Sequence, residues 1–286
     1  MSLTPGSLWK KLASFDADLL ADNKNQLHQA IQNVAAVGRT FLPYSEGDEA
    51  ATLIWDSDLS RLVGRWVQGG IKFRSSFHPE TFTVHLVDAS VTSMASTSLA
   101  DKKQGIVMVW LEEQLIQLQL NTKTLSLDRP YELPEYPQAK GKPFTPNTEA
   151  QVYLTSLYHN AWLVLEQVME VKQGFGELAI WPHHFDAGSL QIVKDTGDRE
   201  TSASVGIGMS PGDEHFDQPY FYVNVWPYPS IETFDPLPYG EWYDEEWVGA
   251  TLMMSDVITA DTASAQHRMV YGFLDTAIDI LKSTIK

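Results

Sequence analysis

Hydrophobic positions recur along this chain with two periods, and the period changes from segment to segment. Near the start, Leu8, Leu12, Phe15 and Leu19 lie three or four residues apart, the repeat of one helix face. Leu27, Ile31, Val34 and Ala35 carry the same spacing to Gly38, where a helix stop is expected. Alternation then takes over. ATLIWD and RLVGRWV are short apolar runs bearing Trp55 and Trp66. IKFRSSF puts Ile71, Phe73 and Phe77 on one side and Lys72 and Arg74 on the other. TFTVHLVD turns Phe82, Val84 and Leu86 inward and Thr83 and His85 outward. GIVMVW and LIQLQL predict two more strands, the second alternating Ile116, Leu118 and Leu120 with Gln117 and Gln119.

The pattern breaks at Pro130, Pro134, Pro137, Pro143 and Pro146. Proline lacks an amide donor and restricts the residue before it, so this stretch predicts neither helix nor central strand but an extended crossover. Helical spacing resumes with Val152, Leu157, Trp162, Leu165 and Met169, and Gly174 and Gly176 end it. Strands are expected near 178–181, 190–193, 202–209 and 220–226. In SASVGIGM, Ala203, Val205, Ile207 and Met209 share one face, while Ser202, Ser204, Gly206 and Gly208 share the other. That second face carries almost no bulk and could accept a close backbone, an aromatic neighbour or a ligand. In YFYVNVW, Tyr220, Tyr222, Asn224 and Trp226 oppose Phe221, Val223 and Val225. Met269, Val270, Phe273, Leu274, Ala277, Ile278 and Leu281 predict a closing amphipathic helix.

These elements predict an α+β fold with mainly antiparallel sheet and flanking helices. Residues 1–129 form an N-terminal helix-plus-sheet half, 130–146 the crossover, and 147–286 a C-terminal half, packed as one body. The halves share a plan, since LHQAIQNVAAVGR…TLIWD and YHNAWLVLEQVME…LAIWP both run from helix to an -IW- strand. A degenerate duplication and a coincidence of α+β chains both account for that.

Composition narrows the partners. Twenty lysines and arginines stand against 37 acidic residues, a net charge of −17, which repels phosphate backbones and anionic headgroups, so no nucleic-acid partner is expected. No window reaches 18 apolar residues, so no membrane span is expected either. The chain has no cysteine, which removes disulfides, thiolate metal sites and cysteine nucleophiles. The N-terminus lacks the apolar run of a signal peptide, and a cytoplasmic location is expected.

Candidate chemistry concentrates in the C-terminal half. WPHHFD, residues 181–186, contains His184-Phe185-Asp186, and the same tripeptide returns as His215-Phe216-Asp217 in SPGDEHFDQP. On a regular strand His184 and Asp186 project together and His183 points away with Phe185. A metal site would draw on His183, His184, Asp186, Asp213, Glu214, His215 and Asp217, a mixture suited to zinc, iron or manganese. There is no HExxH helix or spaced histidine triad, and no cofactor is assigned. An acid–base site would pair His184 with Asp186 or Asp213, with His215 nearby. Ser210 in GMSPGD lies in a turn, but the motif is not a G-x-S-x-G elbow. A third reading needs no chemistry: imidazoles and aspartates fasten a packed corner, and SPGD makes a turn. The other five histidines, His28, His78, His85, His159 and His267, are expected to be solvated or to cap backbone.

From Glu200 to His267 there are twelve acidic residues and no lysine or arginine, and residues 216–247 hold eleven aromatics. Aromatic rings with acidic neighbours bind cations on their faces and sugars by stacking. Tyr220, Tyr222, Trp226 and Trp242 are the candidates for such a small-molecule ligand. The alternative is that a proline-broken loop glues itself to the sheet through these rings.

In order, WPHHFD, MSPGD, QPYFYVNVWP and EWYDEEWVGATLMMSD resemble a family of bacterial proteins catalogued as a domain of unknown function (DUF5996-like). The resemblance covers about residues 175–282 and the N-terminal part in outline. It implies kinship, and no activity, cofactor or catalytic residue. Three functions are therefore expected to compete: binding of a small neutral or cationic ligand such as a carbohydrate, hydrolysis by a His/Asp cluster with or without a metal, and a structural or protein-interaction role.

Overall fold

The computed structural model describes residues 5–45, 47–198, 201–232 and 234–285. Along the chain run α1 (Pro5–Leu8), α2 (Ala17–Phe41), β1 (Ile54–Asp56), β2 (Arg61–Val63), β3 (Val67–Gln68), β4 (Lys72–His78), β5 (Thr83–Asp88), β6 (Ser93–Ser98), α3 (Gln104–Gln117) and α4 (Thr148–Lys172). There follow β7 (Ala179–Ile180), β8 (Ala187–Lys194), β9 (Ala203–Ser210), β10 (Tyr220–Trp226), β11 (Glu241–Tyr243), β12 (Gly249–Met253), α5 (Met254–Val257) and α6 (Ala263–Ser283). The fold is α+β with two antiparallel six-stranded sheets. Two compact units share these elements: residues 16–155 with 180–185, and residues 1–15 with 156–179 and 186–286. The cut falls inside α4, after Thr155, and the proline-rich stretch lies wholly within the first of these units.

In unit 16–155/180–185 the sheet order is β1-β2-β4-β5-β6, with β3 also on β4. Phe73, Phe77, Leu62, Val84 and Leu86 are buried on its core face, and Ser75 on that face donates to the Val34 carbonyl of α2 at 3.3 Å. Ile71 departs from the expected row: it precedes β4 and is exposed. Helix α2 is capped by Asp16, which accepts from the Leu19 amide at 2.8 Å. It runs through Gly38 instead of stopping there; glycine stands at that position because a Cβ would strike the Ala50 carbonyl.

The largest difference from the sequence pattern is α3. GIVMVW and the start of LIQLQL form one helix, not two strands. Its buried side chains are Gln104, Val107, Leu111 and Leu115, a three- and four-residue repeat, while Ile106, Val109 and Ile116 are exposed. Val107, Leu111 and Leu115 are the helical stripe, hidden in a run that is apolar all round.

The proline-rich stretch forms no strand, its one bridge joining Phe144 to Ala100 among the described residues, and side chains of α2 hold more of its backbone. Gln26 Oε1 accepts from the Thr145 amide at 2.7 Å, and Asn23 Oδ1 accepts from Asn147 at 2.7 Å. This is why α2 buries Asn23 and Gln26 beside its apolar residues, while its buried Gln29 reaches Gln104 and its buried Gln32 the Pro182 carbonyl.

In unit 1–15/156–179/186–286 the sheet order is β11-β12-β10-β9-β8-β7. Phe221, Val223 and Val225 on β10 pair in register with Met209, Ile207 and Val205 on β9, and all six are buried. Helix α6 packs on β9, β10 and β12 and buries Val270, Phe273, Leu274, Ala277, Ile278 and Leu281. The helix expected over Leu8–Leu19 is interrupted: α1 ends at Leu8, and residues 9–16 run irregularly before α2. Trp9 and Leu12 are buried in this unit, where the Gln266 side chain of α6 accepts from Trp9 Nε1 (3.2 Å) and the Leu12 amide (2.9 Å) and donates to the Leu12 carbonyl (2.7 Å). Among the described residues no helix is long and apolar enough to cross a membrane.

Candidate functional site

WPHHF is a turn, not a strand. Residues 182–184 turn, and the Phe185 amide donates to the Trp181 carbonyl at 2.7 Å. Phe185 has φ +61°, is fully buried, and stacks on His28 with ring centroids 5.0 Å apart. The Pro182 carbonyl accepts from His28 Nε2 at 2.8 Å and from Gln32 Nε2 at 2.9 Å. His28 Nε2 therefore carries the hydrogen, and Nδ1 accepts from the Tyr136 hydroxyl at 3.0 Å. Burial pushes the His28 pKa down to about 3, against the pull of the Pro182 bond. Of the two alternatives expected for this histidine, the solvated one fails, because α2 is enclosed on the side where His28 sits, and the bond to backbone is what the Pro182 carbonyl provides.

The histidine doublet follows from the turn. His183 and His184 do not point apart as on a strand; their rings lie 4.4 Å apart. His183 also packs against Tyr131 (5.6 Å) and Trp181 (5.8 Å). Burial first, then the neighbouring His184, bring the His183 pKa down to about 4. Tyr131 in turn donates to Gln32 Oε1 at 3.0 Å and accepts from Arg39, which forks onto Asp48 at 2.9 and 2.6 Å. His184 itself is exposed. His183 thus packs into the corner that His28, Gln32 and Tyr131 build in unit 16–155/180–185, and His184 lies against it from the exposed side.

Asp186 belongs to the other unit and opens the face of its sheet that is turned away from Phe221 and Val223. Its Oδ2 accepts from the Tyr222 hydroxyl at 2.5 Å. Tyr222 pairs with Gly208 in β9, and Gly208 pairs with Gly188 in β8. A Cβ on Gly188 would lie 2.8 Å from the Tyr222 hydroxyl, and one on Gly208 would collide with it. The bare face of SASVGIGM is therefore filled by the aromatic neighbour the alternation allowed, and Asn224 lies over Gly206 in the same way. One residue pair along, Tyr220 donates to Asp213 Oδ2 at 2.6 Å. Asp213 Oδ1 accepts from the amides of His215 and Phe216 at 2.9 and 3.0 Å, closing the turn over residues 213–216 that follows SPG. Burial, then the adjacent carboxylates, raise the pKa of both tyrosines, so both stay protonated donors.

Five rings close a circuit on this face. Phe216 meets Tyr220 at 4.6 Å, Tyr220 meets Tyr222 at 6.1 Å, and Tyr222 meets Trp247 at 6.3 Å. Trp247 meets Tyr243 at 4.7 Å, and Tyr243 returns to Phe216 at 5.3 Å. The interplanar angles are all between 45° and 69°. Register explains the convergence: Tyr243 pairs with Gly249, and Gly249 with Asn224, which puts Tyr243 on the face of Tyr222.

The other candidates lie elsewhere. Trp226 shares the face but sits at its far end, opposite Ser204 and half-exposed, edge-on to Tyr228 at 5.0 Å. Trp242 pairs with Ala250 and so belongs to the opposite face; its Nε1 donates to the Asp235 carbonyl at 2.9 Å. His215 is exposed, 3.6 Å from Glu214. Among the described residues no group of three or more histidines and carboxylates converges to hold a metal ion. Phe216, Tyr243 and Trp247 were not singled out by sequence. The usable signal was the two-residue period of β11 carried across Gly249.

No protein-family model, no curated protein and no solved structure matches this chain.

Proposed function

We propose that the protein binds a small organic cation, of the alkylated or quaternary ammonium class, at the five-ring circuit of Phe216, Tyr220, Tyr222, Tyr243 and Trp247. The observation that carries this reading is the closure of the circuit beside two carboxylates. Ring faces attract a cation electrostatically, and the attraction grows as water is excluded. Asp186 and Asp213 hold the two tyrosine hydroxyls and add negative charge at the same place. Asp244, Glu245 and Glu246 are exposed next to Trp247, and no lysine or arginine lies between residues 200 and 267 to oppose them.

The tilt of the rings separates this from the carbohydrate reading. A sugar needs a flat aromatic platform to stack on. Rings inclined by 45° or more to one another present converging faces and edges, which suit a compact rounded cation better. A hydrolase built on His184 and Asp186 has less support. Asp186 Oδ2 is engaged by Tyr222, and His184 stands on the His183 ring in the histidine corner. Kinship with the domain-of-unknown-function family is part of this proposal on its ordered motifs and adds no activity to it.

Tryptophan fluorescence, titrated with tetramethylammonium and with a neutral alcohol of similar shape, tests the reading. A saturable change with the cation alone, lost in Trp247→Ala, is the expected result. Equal responses to both, or none, would overturn it; a response to sugars in its place would favour the stacking alternative.

A further inference from the structure

The outer face of the β1–β6 sheet, in unit 16–155/180–185, carries an unusual concentration of positive charge for a chain of net charge −17. Phe73, Ser75 and Phe77 face α2, so Lys72, Arg74, Ser76 and His78 project the other way. Register extends this face sideways. Val63 and His85 both pair with Ser76, which brings Arg61, two residues before Val63, and His85 onto the same side. Asp56 pairs with Arg61, and its carboxylate takes Arg74 Nη2 at 3.2 Å. One carboxylate thus stands against Arg61, Arg74 and Lys72. Trp66 lies against two of these cations, 4.6 Å from the Arg74 guanidinium and 5.2 Å from the Lys72 ammonium.

Three donors on this face are buried and make no hydrogen bond: Arg61 Nε, Arg74 Nε and Ser76 Oγ. Ser76 is completely buried and Arg74 is 9% exposed. An unmet buried donor costs about 1–3 kcal/mol, more when it is charged, so three on one face call for an acceptor. We infer that this face is a second binding site, in which Arg61, Arg74 and Ser76 receive a small oxyanion, a carboxylate or phosphate group. Guanidinium forks match both groups in geometry, and such charge-assisted bonds are the strong ones. His78 and His85 flank the site as neutral imidazoles, each brought down by burial and then by Arg61, with His85 at about 4. They therefore leave room for the charge of the anion to be met by the arginines. The strongly acidic remainder of the surface opposes a long polyanion, which limits the ligand to a small molecule.

The test uses the full chain, titrated with inorganic phosphate and with acetate at constant ionic strength, with chloride as control. The ring-proton NMR signals of His78 and His85 and the melting temperature are followed. Saturable shifts with phosphate or acetate and none with chloride are expected, and the stronger of the two identifies the anion class. Arg61→Gln should weaken binding at least about tenfold, the loss of one charge-assisted bond. Ser76→Ala should weaken binding while leaving the melting temperature unchanged or higher, because it deletes an unmet buried hydroxyl. Binding by Arg61→Gln and Ser76→Ala equal to that of the parent chain, or histidine signals that respond to chloride as they do to oxyanions, would overturn the assignment.

Discussion

Tyr222 donates to Asp186 at 2.5 Å across a gap left open by two glycines, and this bond joins β10 to the start of β8. Removing the donor leaves a half-buried carboxylate oxygen short of a partner. Tyr222→Phe should therefore cost about 1.5–3 kcal/mol in urea denaturation. Tyr220→Phe should cost less, about 0.5–1 kcal/mol, because Asp213 is exposed to water and is also held by two amides. Equal losses would mean that the Tyr222 bond is not the more desolvated of the two.

Gly208 and Gly105 should respond to alanine in opposite directions. A Cβ at Gly208 meets the Tyr222 ring and lies 2.6 Å from the Ala187 carbonyl, so Gly208→Ala should destabilise by about 1–3 kcal/mol. At Gly105, in the first turn of α3, a Cβ meets nothing within 4 Å, and Gly105→Ala should stabilise by up to about 1 kcal/mol. Chemical denaturation midpoints of the two variants decide this directly.

Acid should unfold the protein in part through His28. Its folded pKa, about 3, lies below the ordinary 6.5, so between those values the native state binds fewer protons than the unfolded chain. Stability then rises with pH in this window and is lost as pH falls from 6.5 towards 3, at up to about 1.4 kcal/mol per pH unit for this proton. His183 and His85 act in the same direction down to about 4. Denaturation at pH 7, 6 and 5 should show His28→Leu to be less stable at pH 7 but with a shallower loss towards acid. A slope equal to that of the parent chain would show that His28 is not held neutral.

Within WPHHFD, burial orders the effects. Phe185→Ala removes a fully buried ring stacked on His28 and should cost about 3–5 kcal/mol. His184→Ala alters an exposed side chain and should move the melting temperature little, within about 0.5 kcal/mol. A large loss at His184 would mean that its contact with the His183 ring carries stability despite its exposure.

Much of this fold is legible from spacing. Strand β10 occupies residues 220–226 as alternation predicts, and the apolar row of SASVGIGM is the buried row of β9. Spacing fails where local pattern is ambiguous. GIVMVW is rich in β-branched residues, and only the tertiary burial of Val107, Leu111 and Leu115 reveals the helical stripe. His28 hides for a similar reason: a histidine on a helix reads as solvated until the Pro182 carbonyl and Phe185, over 150 residues away, are brought to it. The candidate site divides in the same manner. Asp186, Tyr220 and Tyr222 share a face because strand parity places them, and the turn after β9 brings Asp213 to Tyr220. Trp242 falls away because β11 sets it in register with Ala250. The strand parity expected to aim His184 and Asp186 the same way does not apply, because residues 182–184 are a turn and not a strand.

The clasp of Gln266 on Trp9 and Leu12 also sets an order in time. Trp9 is synthesised 257 residues before its partner, whereas the unit of residues 16–155 and 180–185 has all its parts once Phe185 has emerged. That unit can mature while the first segment of the chain still waits, apolar and unclasped, for the last helix. Nascent chains stalled just after residue 185 has cleared the exit tunnel should already protect α2 from protease, yet leave the bonds around Trp9 open to cleavage.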